Sequence, residues 1–160
     1  MMQPGGFYRG NPARERKWKT ESGKAQFTPP TTLSSLGQHP SGKNGFTLIT
    51  LRSNDQFNTT IYGFSDRLRG LEGSREIVLI NREEMARLGL QEGQIVSLYS
   101  QVEDGNLRQV DGLKVTAYDL PDWAVAGYYP ELNPLVPLSY HEKNSLTPAY
   151  KGVPVEIRQR

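Results

Sequence analysis

The chain has 160 residues, 36% hydrophobic and 22% charged, with a formal net charge of +2, so it is one domain by length and can bury a core without staples. It contains no cysteine, which excludes disulfides, iron–sulfur clusters and thiolate-held metals within it. No apolar run approaches the roughly 20 residues that cross a bilayer, so no membrane partner is expected.

Residues 1–45 carry seven Lys/Arg against two Asp/Glu, and residues 46–160 carry twelve against fifteen. Arg9, Arg14, Arg16, Lys17 and Lys19 are not interleaved into an RNA-binding signature, so the basic arm is read as a solvated segment that docks on a longer parent, with no nucleic-acid partner. Met1-Met2, followed by no apolar signal core, reads as a start placed before a domain boundary of that parent. The cysteine-free composition fits a reducing compartment, and a cytoplasmic location is expected. Pro29-Pro30, Thr31-Thr32 and Ser34-Ser35 show neither strand nor helix periodicity. Residues 1–44 are therefore expected to be an irregular, flexible lead-in, with Trp18–Phe27 as a candidate short strand.

The domain proper is expected over 45–160. Phe46 to Arg52 reads as a strand. Glu76 to Ile80 is continuous in its apolar content and is expected to be buried on both faces. Asn81 reads as a helix N-cap, Glu83 and Glu84 suit the first turn, Met85, Leu88 and Leu90 make one apolar face, and Gly89 marks the stop. Gln94 to Ser100 alternates as a strand, Glu103 to Asn106 is a turn, and Leu107 to Asp119 is a strand broken near Asp111-Gly112. A short segment surrounds Ala124 to Ala126 between Pro121 and Pro130, and Val153 to Ile157 is the last strand. Many short strands with little helix predict a mainly β barrel or an α+β domain.

Thr50 to Thr59 sets uncharged hydrogen-bonding side chains around one arginine, Arg52. Burying them requires partners, which a polar planar ligand can supply, and Arg52 offers a fork to an anion or a carbonyl. By spacing alone the better reading is an ordinary polar turn with Asn54-Asp55 at its corner. Asn133 sits between the rigid bends of Pro130 and Pro134, and Lys151 precedes the last strand. Read alone, they are a turn asparagine and a solvated lysine. His39 and His141 are isolated, so no metal site is expected. There is no phosphate-binding glycine fingerprint and no nucleophilic triad to assemble, so no catalytic residue is assigned.

Several segments together carry a family resemblance. Arg52-Ser53-Asn54-Asp55-Gln56-Phe57-Asn58-Thr59-Thr60-Ile61-Tyr62-Gly63, followed by Asp66-Arg67 and Arg69-Gly70, is similar to the pterin-contacting stretch of formate-dehydrogenase-like alpha subunits of bacterial molybdopterin oxidoreductases. Gln3-Pro4-Gly5-Gly6-Phe7, Asn11 to Arg16 and Thr20 to Phe27 resemble that family's lead-in to its last domain. Tyr128 to Leu138 and Thr147 to Val155 resemble its closing segments. The motifs span nearly the whole chain in the family's order.

The resemblance implies a double-psi β-barrel with short helices that binds molybdopterin guanine dinucleotide, the cofactor itself holding molybdenum or tungsten. It implies cofactor contacts from Thr50, Leu51, Arg52, Ser53, Asn54, Gln56, Asn58, Thr59, Asn133 and Lys151. Gln56 and Asn58 depart from nitrate-reductase-like relatives, which often place aromatic or histidine residues there. Asp66, Arg67 and Arg69 are expected to dock against the remaining domains of the parent catalytic subunit. Alone, the domain is not expected to turn over substrate. The alternative is a double-psi barrel that serves as a protein- or peptide-binding adaptor, since the same fold hosts both roles.

Overall fold

A computed structural model describes residues 4–27, 40, 42–58 and 60–159. Thr59 and His39, both singled out above, lie outside the described residues, as do the Pro29-Pro30, Thr31-Thr32 and Ser34-Ser35 pairs. The chain divides into two units, Met1–Gly37 and Gln38–Arg160.

Among the described residues of the first unit there are turns and no strand or helix. Lys17 N–H donates to Pro12 O and Glu15 N–H to Asn11 O, while Tyr8 Oη donates to Glu15 Oε1 at 2.8 Å. The strand expected over Trp18–Phe27 does not form. Thr20 Oγ1 donates to Lys24 O at 2.7 Å, and Gly23 turns left-handed at φ 64°, so this stretch closes a local turn instead of extending.

The second unit is a closed six-stranded barrel with strand order β1-β7-β4-β6-β5-β8. Its strands are β1 (Gly45–Leu51), β4 (Ile77–Ile80), β5 (Ile95–Ser100), β6 (Gln109–Ala117), β7 (Ala124–Tyr128) and β8 (Val153–Gln159). β1 with β7 and β4 with β6 run parallel inside an otherwise antiparallel ring, the double-psi arrangement. Closure leaves no unpaired sheet edge. A two-stranded ribbon, β2 (Gln56–Phe57) with β3 (Thr60–Ile61), stands outside the barrel.

Alternation decides what each strand buries. On β1, Phe46, Leu48 and Thr50 are buried and the residues between them are half-buried. β4 and β7 are buried along their whole length, because each is covered on both faces. Val78, Ile80 and Val125 join the main core. Ile77, Leu79, Ala126 and Tyr128 form a second cluster with Ile49, Leu51, Leu71, Tyr118 and Leu120 packed against it. The unbroken apolar run at 77–80 thus has the expected cause, and the short segment around 124–126 is a fully buried strand.

The helix α1 (Arg82–Leu88) begins and ends where the sequence places its caps. Asn81 Oδ1 accepts from Glu83 N–H at 2.7 Å, and Gly89 adopts φ 68°, ψ 28°, its N–H reaching Ala86 O and Met85 O. The break expected at Asp111-Gly112 is a bulge inside a continuous β6. The register with β5 shifts between Val96 and Leu98, and Gly112 takes φ 77°, a conformation costly for other residues. After β7 the chain turns through α2 (Tyr129–Leu132) and a 3-10 turn (Asn133–Leu135). Leu132 and Leu135 from this turn are fully buried in the main core.

Candidate functional site

Thr50 and Leu51 end β1, where they pair with Gly127 and Tyr128 of β7. The chain leaves the barrel here, so these residues form a rim. Returning to the same rim before β8, the chain brings Tyr150 and Lys151. Thr50 N–H and Thr50 Oγ1 both donate to Tyr150 O at 3.1 Å, and Lys151 Nζ donates to Thr50 O. Together Thr50, Leu51, Arg52, Tyr129, Tyr150 and Lys151 line a cavity of about 290 Å³, at the small end of the roughly 300–1,000 Å³ typical of ligand pockets. Tyr129 and Tyr150 meet edge to face, with centroids 5.7 Å apart and planes at 67°. Asn133 lies just beyond, its Oδ1 accepting from Tyr150 Oη at 3.2 Å.

The electrostatics of this rim are one-sided. Burial, and then the positive charges of Arg52 and Arg69, lower the Lys151 pKa from the ordinary lysine value. The Arg52 side chain is exposed and has no hydrogen-bond or ion-pair partner among the described residues. Two cations and two tyrosine rings around one cavity make a lining that fits a bulky anion carrying a ring system.

The rest of the 50–58 stretch is organised differently. Ser53 and Gln56 are buried and turned onto Arg75, which is itself 4% exposed. Arg75 Nη1 donates to Ser53 Oγ at 2.7 Å and Nη2 to Gln56 Oε1 at 3.1 Å. Gln56 Nε2 donates to Asn58 O at 2.8 Å, so both ends of that amide have internal partners. Asn54 Nδ2 donates to Asp55 Oδ1 at 3.0 Å. Asn58 is exposed with φ 51°, a left-handed turn that asparagine tolerates.

Asp66 and Arg69, expected above to dock against other domains, are engaged within this one. Asp66 is 1% exposed. Its Oδ2 accepts from Arg69 Nη1 and, at 2.9 Å, from Tyr128 Oη, and Arg69 Nη1 also donates to Arg52 O at 3.2 Å. The pair therefore fixes the loop from behind, while Arg67 is exposed. Burial opposes the Asp66 charge, but the hydrogen bonds from Arg69 and Tyr128 outweigh it and lower the pKa. Tyr128, by burial first and then by Asp66, is pushed up to about 12.

Sequence reasoning missed Tyr129 and Tyr150. Both lie in segments that carried the resemblance, each within a few residues of a candidate contact, and that adjacency was the available signal. Arg75 left only a faint one, a charge just ahead of a doubly buried strand.

A family model for the molybdopterin dinucleotide binding domain matches residues 46–154. The chain belongs to this family. This places cofactor binding ahead of the adaptor alternative. Protein YdeP of Escherichia coli K12 is 40% identical over 161 residues, covering 98% of this chain and 21% of that protein. An uncharacterized oxidoreductase of Mycobacterium tuberculosis H37Rv is 40% identical over 159 residues, covering 96% of this chain and 20% of its own length. The chain therefore spans about a fifth of the length of the curated relatives it matches. Among solved structures, acetylene hydratase from Pelobacter acetylenicus matches 72% of this chain and 18% of its own, with a TM-score of 0.50 and 11% identity, a likeness of fold alone. No helix among the described residues is long and apolar enough to cross a membrane.

Proposed function

We propose that this molybdopterin dinucleotide-binding domain holds the guanine form of the cofactor at the rim built by Thr50, Leu51, Arg52 and Lys151, within a cytoplasmic, formate-dehydrogenase-like catalytic subunit. Residues 45–160 are the binding domain in this reading, residues 1–44 a flexible lead-in, and the remaining domains of the subunit close the other side of the cofactor. The observation that carries the reading is the convergence of Arg52 and Lys151, distant in sequence, on one cavity walled by Tyr129 and Tyr150.

Each residue has a role set by its chemistry. Arg52 and Lys151 supply positive charge to pyrophosphate oxygens, Arg52 as a planar fork and Lys151 as a point charge. The tyrosines give a guanine or pterin ring an aromatic wall. Asn133 orients Tyr150 through its carbonyl oxygen. Ser53, Asn54, Gln56, Asn58 and Thr59 are assigned to the same contact stretch, Ser53 and Gln56 through the shape of the loop. When bound, the cofactor's dithiolene sulfurs hold molybdenum or tungsten and supply the redox chemistry.

Titration of the full chain with guanosine diphosphate, followed by amide and side-chain NMR shifts, tests this. The expected response is at Arg52, Tyr129, Tyr150 and Lys151, with affinity around millimolar, or about −4 kcal/mol, because this fragment supplies one face of a larger site. Arg52→Ala weakens the response. Shifts confined to Arg14 and Lys17 would indicate diffuse electrostatic attraction and overturn the assignment.

A further inference from the structure

Arg75 is the most heavily engaged charged side chain around the site, although it lines no part of the cavity. Its Nε donates to Glu131 Oε1 at 2.7 Å and its Nη2 to Glu131 Oε2 at 3.3 Å. The same guanidinium serves Ser53 and Gln56 and lies over the Tyr128 ring, 4.3 Å from its centroid. One planar fork thus joins the loop after Arg52, the end of β7 and the helix α2 that carries Tyr129.

We infer that Arg75 is the positioning residue of the dinucleotide site, holding its two walls, Leu51–Arg52 and Tyr129, at a fixed separation. The inference deepens the proposed function and rests on it. Ser53 follows Arg52 directly, and Glu131 lies two residues after Tyr129. Displacing either acceptor from Arg75 frees the adjacent wall. A buried guanidinium with charged and neutral acceptors in one plane sets direction as well as distance. A lysine at this position carries the charge at one point and cannot serve four acceptor atoms on three side chains spread around a fork.

The test compares the full 160-residue chain with its Arg75→Lys variant. The barrel amides of β5, β6 and β8 are expected to keep their shifts. Those of residues 52–58 and Tyr129 move or broaden, and the guanosine diphosphate dissociation constant rises about tenfold, the scale on which supporting residues act around metal sites. The control Arg158→Lys, near the end of β8 away from Lys151 and paired with Ser97 of β5, leaves both unchanged. A dissociation constant within about twofold of the parent would overturn the inference, as would unmoved resonances at 52–58 and Tyr129.

Should Arg75→Lys fail to fold, Glu131→Gln decides by the same two readouts. It keeps an acceptor for Arg75 and removes only the charge, so a smaller shift at Tyr129 and a smaller loss of affinity are expected. No change in either overturns the inference. A parent chain that itself gives no diphosphate response counts against the proposed function, while the resonances of 52–58 and Tyr129 still decide whether Arg75 holds both walls.

Discussion

Lys151 donates its ammonium to the main-chain carbonyl of Thr50, 101 positions earlier in the chain. The bond joins the approach to the last strand with the end of the first, so the rim of the barrel and its basic face are the same structure. An anion arriving at Arg52 meets a lysine already held at the edge of the cavity, with the penalty of ordering its long side chain largely met in advance.

The Lys151 pKa is lowered by burial and by its positive neighbours, and an anionic ligand reverses the second of these. Diphosphate binding is therefore expected to raise that pKa and to take up protons at pH values above the lowered value. Affinity falls as pH rises through it, because the neutral amine no longer attracts the anion. Calorimetry in two buffers of different ionisation enthalpy measures the uptake. Lys151→Met should weaken binding by about 1 kcal/mol, the lower range for a charge-assisted contact at a partly exposed site, and abolish the linked proton.

Asp66 and Tyr128 predict a stability profile. The Asp66 pKa lies below its unfolded value, so its contribution is complete above that value and is lost as pH falls through the folded pKa. Tyr128 is raised from 10.0 to about 12, so its contribution is complete below 10 and is lost as pH rises toward about 12. Asp66→Asn should flatten the acid limb, lower stability at neutral pH by about 1–3 kcal/mol through the weakened buried network, and bring Tyr128 ionisation down. Denaturant melts across pH and ultraviolet titration of tyrosinate read these separately.

Gly127 pairs with Thr50 in the parallel β1–β7 ladder. A Cβ there would stand 2.5 Å from Leu132 Cδ1 and 2.9 Å from Ile77 O. The leucine end can move, but the backbone oxygen of a central strand cannot. Gly127→Ala is expected to destabilise the barrel by about 1–3 kcal/mol, as overpacking does, measured as a lower denaturation midpoint with unchanged slope.

Residues 4–27 form turns without strand or helix, whereas β4 and β7 are buried on both faces. Hydrogen exchange should complete rapidly over 4–27 and proceed only by global opening at Val78–Ile80 and Val125–Ala126. Strong protection throughout 4–27 would contradict the flexible lead-in.

Features whose causes are local were legible before folding was considered. Asn81 and Gly89 bound α1 because capping is decided within a few residues, and the unbroken apolar run at 77–80 announced a strand covered on both faces. Motifs in family order pointed to the molybdopterin dinucleotide-binding family that the match over residues 46–154 shows. Which polar side chains of residues 50–58 face outward was set by contacts across the barrel. Ser53 and Gln56 turn inward because Arg75, buried by the approach to β4, needs acceptors there, and Arg52 is left exposed. The tertiary fold also made Ala124–Tyr128 a barrel strand and took Asp66 out of solvent to receive Tyr128 and Arg69. The cause for these side chains is non-local: Arg75 and Asp66 Oδ2 are buried polar groups whose partners lie in segments that only the closed barrel brings near.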